Sequence, residues 1–189
     1  HRASSLRGAT VAAAATLAPG TSAIEGGLAL PPAAPAADDV RALIARRRSW
    51  RRFAPTPLAQ AQLATLLHAM TRPAPQLSTA VRIDVLTLAV QDLPPRAWRY
   101  QAATHRLLPR TAPDAALRRH ARAAALDQDV VGEAAAVFVL SIDRVSFAAD
   151  ALGPARGYRH ALLETGLLGE RVYLQATALG LGVCGVGAF

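Results

Sequence analysis

The sequence predicts an α+β domain with a mixed or antiparallel sheet flanked by helices. Three observations carry that expectation. Residues 82–90 alternate apolar and polar side chains, the pattern of a strand with one buried face. Trp98-Arg99-Tyr100 and His105-Arg106-Leu107-Leu108 flank a short polar turn and read as a hairpin. The strands are separated by helical periodicities, yet two of them form a hairpin, which argues against a doubly wound parallel sheet. A chain of 189 residues suits one domain and can bury a real core.

Each element follows from local chemistry. Residues 20–37 are rich in Ala, Pro and Gly and read as linker, so residues 1–37 are expected to be an extension and 38–189 the domain. Asp38 or Asp39 can cap a first helix in which Val40, Leu43, Ile44 and Arg47 recur at helical spacing. Thr56-Pro57 predicts a second helix start, with Thr56 as N-cap and Pro57 at the first helical position. Leu63, Leu66, Leu67 and Met70 would form its apolar face, with Met70 in the core. Pro73 and Pro75 break the chain before the 82–90 strand. Pro113-Asp114 opens a basic helix expected to reach about Leu126. Ala134–Ile142 is a continuous apolar run, expected to be a buried central strand. Residues 153–157 read as a loop, and the longest helix is expected from Tyr158 to Leu179. Its inner stripe would include Leu162, Gly166, Gly169, Tyr173 and Ala176. Gly180 and Leu181 fit a left-handed cap and its hydrophobic partner, and Val183–Val186 should then be a strand.

Composition narrows the function. The net charge is +8 and all 21 basic residues are Arg, in clusters at 46–52 and 118–122. No zinc-finger spacing, RNP motif or basic helix with heptads accompanies them, so a nucleic-acid partner is not expected. The clusters fit a phosphate site and a solvated helix face better. Cys184 is alone, which excludes an intrachain disulfide; it reads as a small buried residue. The five His residues lack metal-ligand spacing, so no metal is expected. No apolar run is long enough to span a bilayer. Residues 1–23 combine Arg2 and Arg7, an Ala-rich run and small residues. They read either as a signal peptide of an exported, periplasmic protein or as a low-complexity extension of a cytoplasmic one.

Two segments carry chemistry. Arg46-Arg47-Arg48-Ser49-Trp50-Arg51-Arg52-Phe53 lies where a helix passes into extended chain. Guanidinium groups and a hydroxyl can surround a phosphate, and Arg stays charged at any working pH. In extended chain Ser49 and Arg51 share a face opposite Arg48 and Trp50. At the other end, Gly182-Val183-Cys184-Gly185-Val186-Gly187-Ala188-Phe189 allows close backbone approach to a flat ligand.

In this order, the two segments resemble the nitroreductase family of FMN enzymes, and most closely its SagB-type, azoline dehydrogenase-like branch. The likeness covers roughly residues 41–189. It rests on the Arg-rich element, on Glu164-Thr165-Gly166, and on Tyr173 to Gly182 running into the Gly-rich end. Leu66-Leu67-His68-Ala69, Leu93-Pro94-Pro95 with Trp98-Arg99-Tyr100, and Thr104-His105-Arg106-Leu107 look like the family's "LLWA", "LPPGVYRY" and "HAL" stretches. The resemblance implies a nitroreductase-like fold and an FMN-dependent oxidoreductase that transfers a hydride through flavin N5. NAD(P)H would be a possible electron donor, and the substrate a small molecule or a peptide. It implies a homodimer with FMN between subunits, for which Gly166 and Gly169 could form a seam. Carried over, Arg47, Arg48, Ser49 and Arg51 would hold the phosphate and ribityl end, and Val186, Gly187 and Ala188 the ring. Ser78 would stand in for the polar loop after the second helix. No catalytic acid or base is assigned; Tyr158, His68 and Glu164 read as structural. The chain departs from the family where Pro75–Arg82 replaces a Pro-Ser-Ala/Gly-Gly loop. It departs again where Gly166-Leu167-Leu168-Gly169-Glu170-Arg171 replaces Gly-His-x-x-Gln-Asn. The domain is expected to continue past Phe189. These departures point to the alternative, a flavin-free binding or scaffold subunit of a peptide-modifying complex.

Overall fold

The computed structural model describes residues 27–35 and 39–187. Its strands are β1 (Leu28–Ala29), β2 (Val81–Thr87), β3 (Arg96–Gln101), β4 (Arg106–Pro109) and β5 (Ala136–Ile142). They form one antiparallel sheet in the order β1-β4-β3-β2-β5. The predicted hairpin is β3–β4, with Tyr100 opposite Leu107. In β2 the alternation sets Ile83, Val85 and Thr87 inward. Asp84, on the other face, stands opposite Arg99 and binds its guanidinium at both oxygens, at 2.6 and 2.7 Å.

Two helices cover the inward face. In α2 (Gln60–Thr71), Leu63, Leu66, Leu67 and Met70 are all buried, as their spacing predicts. They meet Ile83, Val85, Trp98, Tyr100 and Leu107 from the sheet and Leu168, Val172 and Ala176 from α6 (Pro154–Ala178). Each fully buried Leu contributes roughly 1.5–3 kcal/mol of transfer free energy. Thr87 is buried but satisfied: its hydroxyl donates to the Pro94 carbonyl at 2.7 Å and accepts from Trp98 Nε1 at 3.0 Å.

Several expectations need correction. α2 begins at Gln60, not at Thr56-Pro57, because the chain before it pairs with the sheet's neighbourhood. There Leu58 N–H donates to Ala89 and Leu58 C=O accepts from Gln91, both at 2.9 Å. Residues 27–35, expected to be linker, supply β1, and Leu30 is buried in the core. The apolar run at 134–142 forms β5 at the sheet edge, not its centre; only β2 pairs with it among the described residues, and Val139 is exposed.

The long helix starts at Pro154, inside the expected loop, with Gly153 as its N-cap. Its buried stripe is Gly157, Ala161, Glu164, Leu168, Val172 and Ala176. The predicted stripe is therefore rotated: Leu162 and Gly166 are exposed, and a side chain added at Gly166 or Gly169 would meet nothing within 4 Å. Gly157 is buried for a steric reason, since a Cβ there would lie 2.0 Å from the Phe147 carbonyl oxygen. That oxygen belongs to α5 (Arg144–Ala148), whose end abuts α6. Two further short helices, α3 (Leu117–Ala124) and α4 (Asp129–Glu133), pack together. α3 starts after Ala116, whose N–H donates to Asp114 at 2.8 Å, and ends at Ala124, short of Leu126.

Candidate functional site

The site is built where two chain directions change. α1 (Val40–Arg46) is capped by Asp39, which accepts from Arg41 N–H, and its last turn closes with Arg47 N–H to Leu43 C=O at 2.9 Å. Arg47 then takes an extended ψ of 136°, so the Arg-rich segment leaves the helix straight. Leu43 anchors α1, while Val40 and Ile44 stay exposed. α6 ends in the predicted cap. Gly180 has φ of +69°, its N–H reaches Thr177 C=O at 3.2 Å, and Leu181 N–H reaches Ala176 C=O at 2.8 Å. Both bonds are those of a Schellman turn.

The turn sends the Gly-rich end alongside the Arg-rich segment. Ser49 and Val183 form a parallel bridge, with Trp50 N–H donating to Val183 C=O at 2.9 Å. The predicted strand at 183–186 is thus this single bridge. Gly182 makes the approach possible, because a Cβ there would lie 3.1 Å from the Phe53 ring and 3.2 Å from Trp50 Cβ. Two segments more than 120 residues apart are brought into one seam, as Ser49 and Tyr173 are separated by 124 positions.

Tyr173 sits at the centre of that seam. Its hydroxyl lies 3.0 Å from Ser49 Oγ and accepts from Gly185 N–H at 2.6 Å. The Arg47 guanidinium lies over its ring, 5.2 Å from the centroid, and faces Glu170 at 3.9 Å. Glu133 fixes the far end of the segment: it accepts from Phe53 N–H at 3.0 Å and pairs with Arg52 at 2.8 Å. The Phe53 N–H, helped by Arg52, holds the Glu133 carboxyl below the usual carboxylate range.

The predicted site residues fall into four groups. Arg47 and Ser49 meet on Tyr173. Arg48 turns back instead, donating to the Ala45 and Arg47 carbonyls at 3.0 and 2.7 Å, and Arg51 is exposed. Val186 is half-buried and Gly187 is exposed with open space where a Cβ would be, while Ala188 lies outside the described residues. Ser78 is elsewhere. It accepts from Ala80 N–H at 3.1 Å and borders an open cleft of about 420 Å³, lined also by Arg82, Glu164 and Arg171 but by none of Arg47, Arg48, Ser49 or Arg51. Cys184 is half-buried rather than buried.

The three titratable side chains read as structural have visible tasks. Glu164 is fully buried and one of its oxygens accepts from Gln76 N–H at 3.0 Å and Leu77 N–H at 2.9 Å. His68 stands edge-on to His105, 5.8 Å between ring centroids; burial first, then the neighbouring His105 and Arg72, pushes its pKa down. Tyr158 packs against Phe147. Sequence reasoning missed Tyr173, Glu170 and Glu133 as parts of the site. The first two were detectable as polar groups one turn apart near the helix end that feeds the Gly-rich segment. Glu133 left no sequence signal.

The chain belongs to the nitroreductase family, whose sequence model matches residues 44–189. That match spans the fold from α1 through the Gly-rich end and so includes both halves of the seam. Among solved structures it is similar to a candidate nitroreductase from Anabaena variabilis, with 25% identity and a TM-score of 0.70; 80% of this chain and 33% of that one are covered. A candidate nitroreductase from Ralstonia eutropha shares the fold at 24% identity and a TM-score of 0.63, with 82% and 73% covered. The chain thus spans about a third of the first relative's length. No curated protein sequence matches it. Members of the family generally bind FMN. Among the described residues, no helix is long and apolar enough to cross a membrane.

Proposed function

We propose that the protein is an FMN-dependent oxidoreductase, and that its motifs place it in the SagB-type dehydrogenase branch. The observation that carries this reading is the meeting of Ser49 and Gly185 on one hydroxyl, Tyr173 OH. A guanidinium and a hydroxyl at a partly exposed seam suit a phosphate. A neighbouring Gly-rich backbone with open space at Gly187 suits a flat ring. Arg47 and Ser49 would hold the phosphate, Arg51 would close over it, and Val186, Gly187 and Ala188 would lie along the ring. Bound there, FMN supplies hydride acceptance and delivery at N5. The protein's part is to orient the cofactor and keep the ring accessible from one side.

Ser78 would join this site across a subunit boundary. It lies in the loop held by Glu164, nine residues and about 13.5 Å along α6 from Tyr173. In a homodimer with FMN between subunits, Ser78 of one copy would face the seam of the other. The open face at Gly166 and Gly169, flanked by exposed Leu162 and Leu163, supports such an association.

The test is reduction of the FMN-loaded, full-length protein without oxygen. Bleaching of the visible flavin band by NADPH or NADH gives a reductase. Bleaching by an azoline-containing peptide, with recolouring on oxygen, gives the dehydrogenase. No bleaching by any of them contradicts the oxidoreductase reading. A protein that takes up no FMN at all favours the flavin-free scaffold, which one feature supports: Glu170 and Glu133 already face Arg47 and Arg52.

A further inference from the structure

We propose that Tyr173 is a positioning residue that aims the Ser49 hydroxyl at a phosphate and ties that contact to the Gly-rich segment. This rests on the FMN reading above. The Gly185 N–H can only donate, so the Tyr173 oxygen accepts from it at 2.6 Å. The Tyr173 hydrogen then has two possible settings against Ser49, 3.0 Å away.

If Ser49 donates to Tyr173, the tyrosine accepts twice and its own hydrogen must find a further acceptor in solvent. If Tyr173 donates to Ser49, the chain runs Gly185 N–H to Tyr173 O–H to Ser49 Oγ. The Ser49 hydrogen is then left to point outward from an exposed residue. An anion beside Ser49 selects the second setting, because only a donating hydroxyl binds it. The phosphate contact and the position of Gly185 thereby share one hydrogen-bonded chain, and such chains reinforce one another. The Tyr173 ring serves the same end, holding the Arg47 guanidinium over its face while its hydroxyl meets Ser49.

Tyr173→Phe keeps the ring and removes only the hydroxyl. The discriminating readout is affinity for FMN against affinity for riboflavin, which lacks the phosphate, followed by flavin fluorescence on the full-length protein. Tyr173→Phe and Ser49→Ala should each weaken FMN about tenfold. Ser49→Ala should leave riboflavin unchanged, Tyr173→Phe should weaken riboflavin less than FMN, and the double variant should be no weaker toward FMN than Tyr173→Phe alone. Circular dichroism and melting should match the wild type. Equal losses for FMN and riboflavin, additive losses, or no loss at all overturn the role of Tyr173 while the FMN reading stands. A wild-type protein that binds neither flavin overturns both.

Discussion

α6 holds two unlike regions of the molecule together. Its buried stripe, from Gly157 to Ala176, closes a core where Leu63, Leu67, Met70, Val85 and Leu107 have no or almost no exposure. Its C-terminal turns, through Glu170 and Tyr173, hold the seam between the Arg-rich segment and the Gly-rich end. The core is secured by many interchangeable apolar contacts. The seam is secured by few contacts: the Trp50–Val183 backbone bond and the side chains of Tyr173, Glu170 and Glu133, which make directional polar bonds to chain far away in sequence. A region held by few directional bonds can be altered with little loss of overall stability. Such a region suits a ligand, whose binding then adds the missing contacts.

Substitutions can separate the two regions. The largest effect should come from the core: Leu67→Ala, at a fully buried position, should cost about 2–5 kcal/mol in a denaturant titration. It should lower stability everywhere and leave the seam's ligand preferences intact in whatever fraction remains folded.

A smaller and local effect is expected at Glu133. Its pKa is held down by the Phe53 N–H first and by Arg52, so its contribution is present above the usual carboxylate range. That contribution is lost as the pH falls through the lowered value. The protection of the Phe53 amide against exchange, relative to its intrinsic rate, should therefore fall as the pH drops below the usual carboxylate range, and Glu133→Gln should remove most of that pH dependence. Core amides such as Val85 should show no such step.

The smallest effect should come from Glu170, which faces Arg47 at 3.9 Å across a half-exposed surface. Removing its charge with Glu170→Gln should free Arg47 for an anion and tighten FMN roughly two- to fivefold, more at low salt. The melting temperature should hardly move.

The same contrast explains what the sequence made legible. The α2 face, the β3–β4 hairpin and the Gly180 turn follow from local chemistry, and the structure has all three. The inward stripe of α6 did not, because the true one contains Glu164. Its carboxylate is acceptable inside only because Gln76 and Leu77 turn their N–H groups toward it. The start of α2 was hidden by pairing of Leu58 with residues some thirty positions on. At the site, the Arg-rich and Gly-rich segments were visible as separate motifs and through family likeness. Their meeting depends on Gly182 packing against Trp50 and Phe53 and on the Tyr173 hydroxyl, which the helical spacing put on an inner stripe but not against Ser49 and Gly185. Arg48, equal to Arg47 on the page of the sequence, is distinguished only by turning back to the carbonyls at the end of α1.

The central claim is that the seam at Arg47, Ser49 and Gly185 is a flavin phosphate site. It is tested most directly by the visible spectrum of the full-length protein after FMN addition and desalting, beside an Arg47→Ala, Ser49→Ala double variant. The account predicts a flavin spectrum retained by the wild type and lost by the folded variant. A colourless wild type, or a variant that keeps FMN equally well, would contradict it.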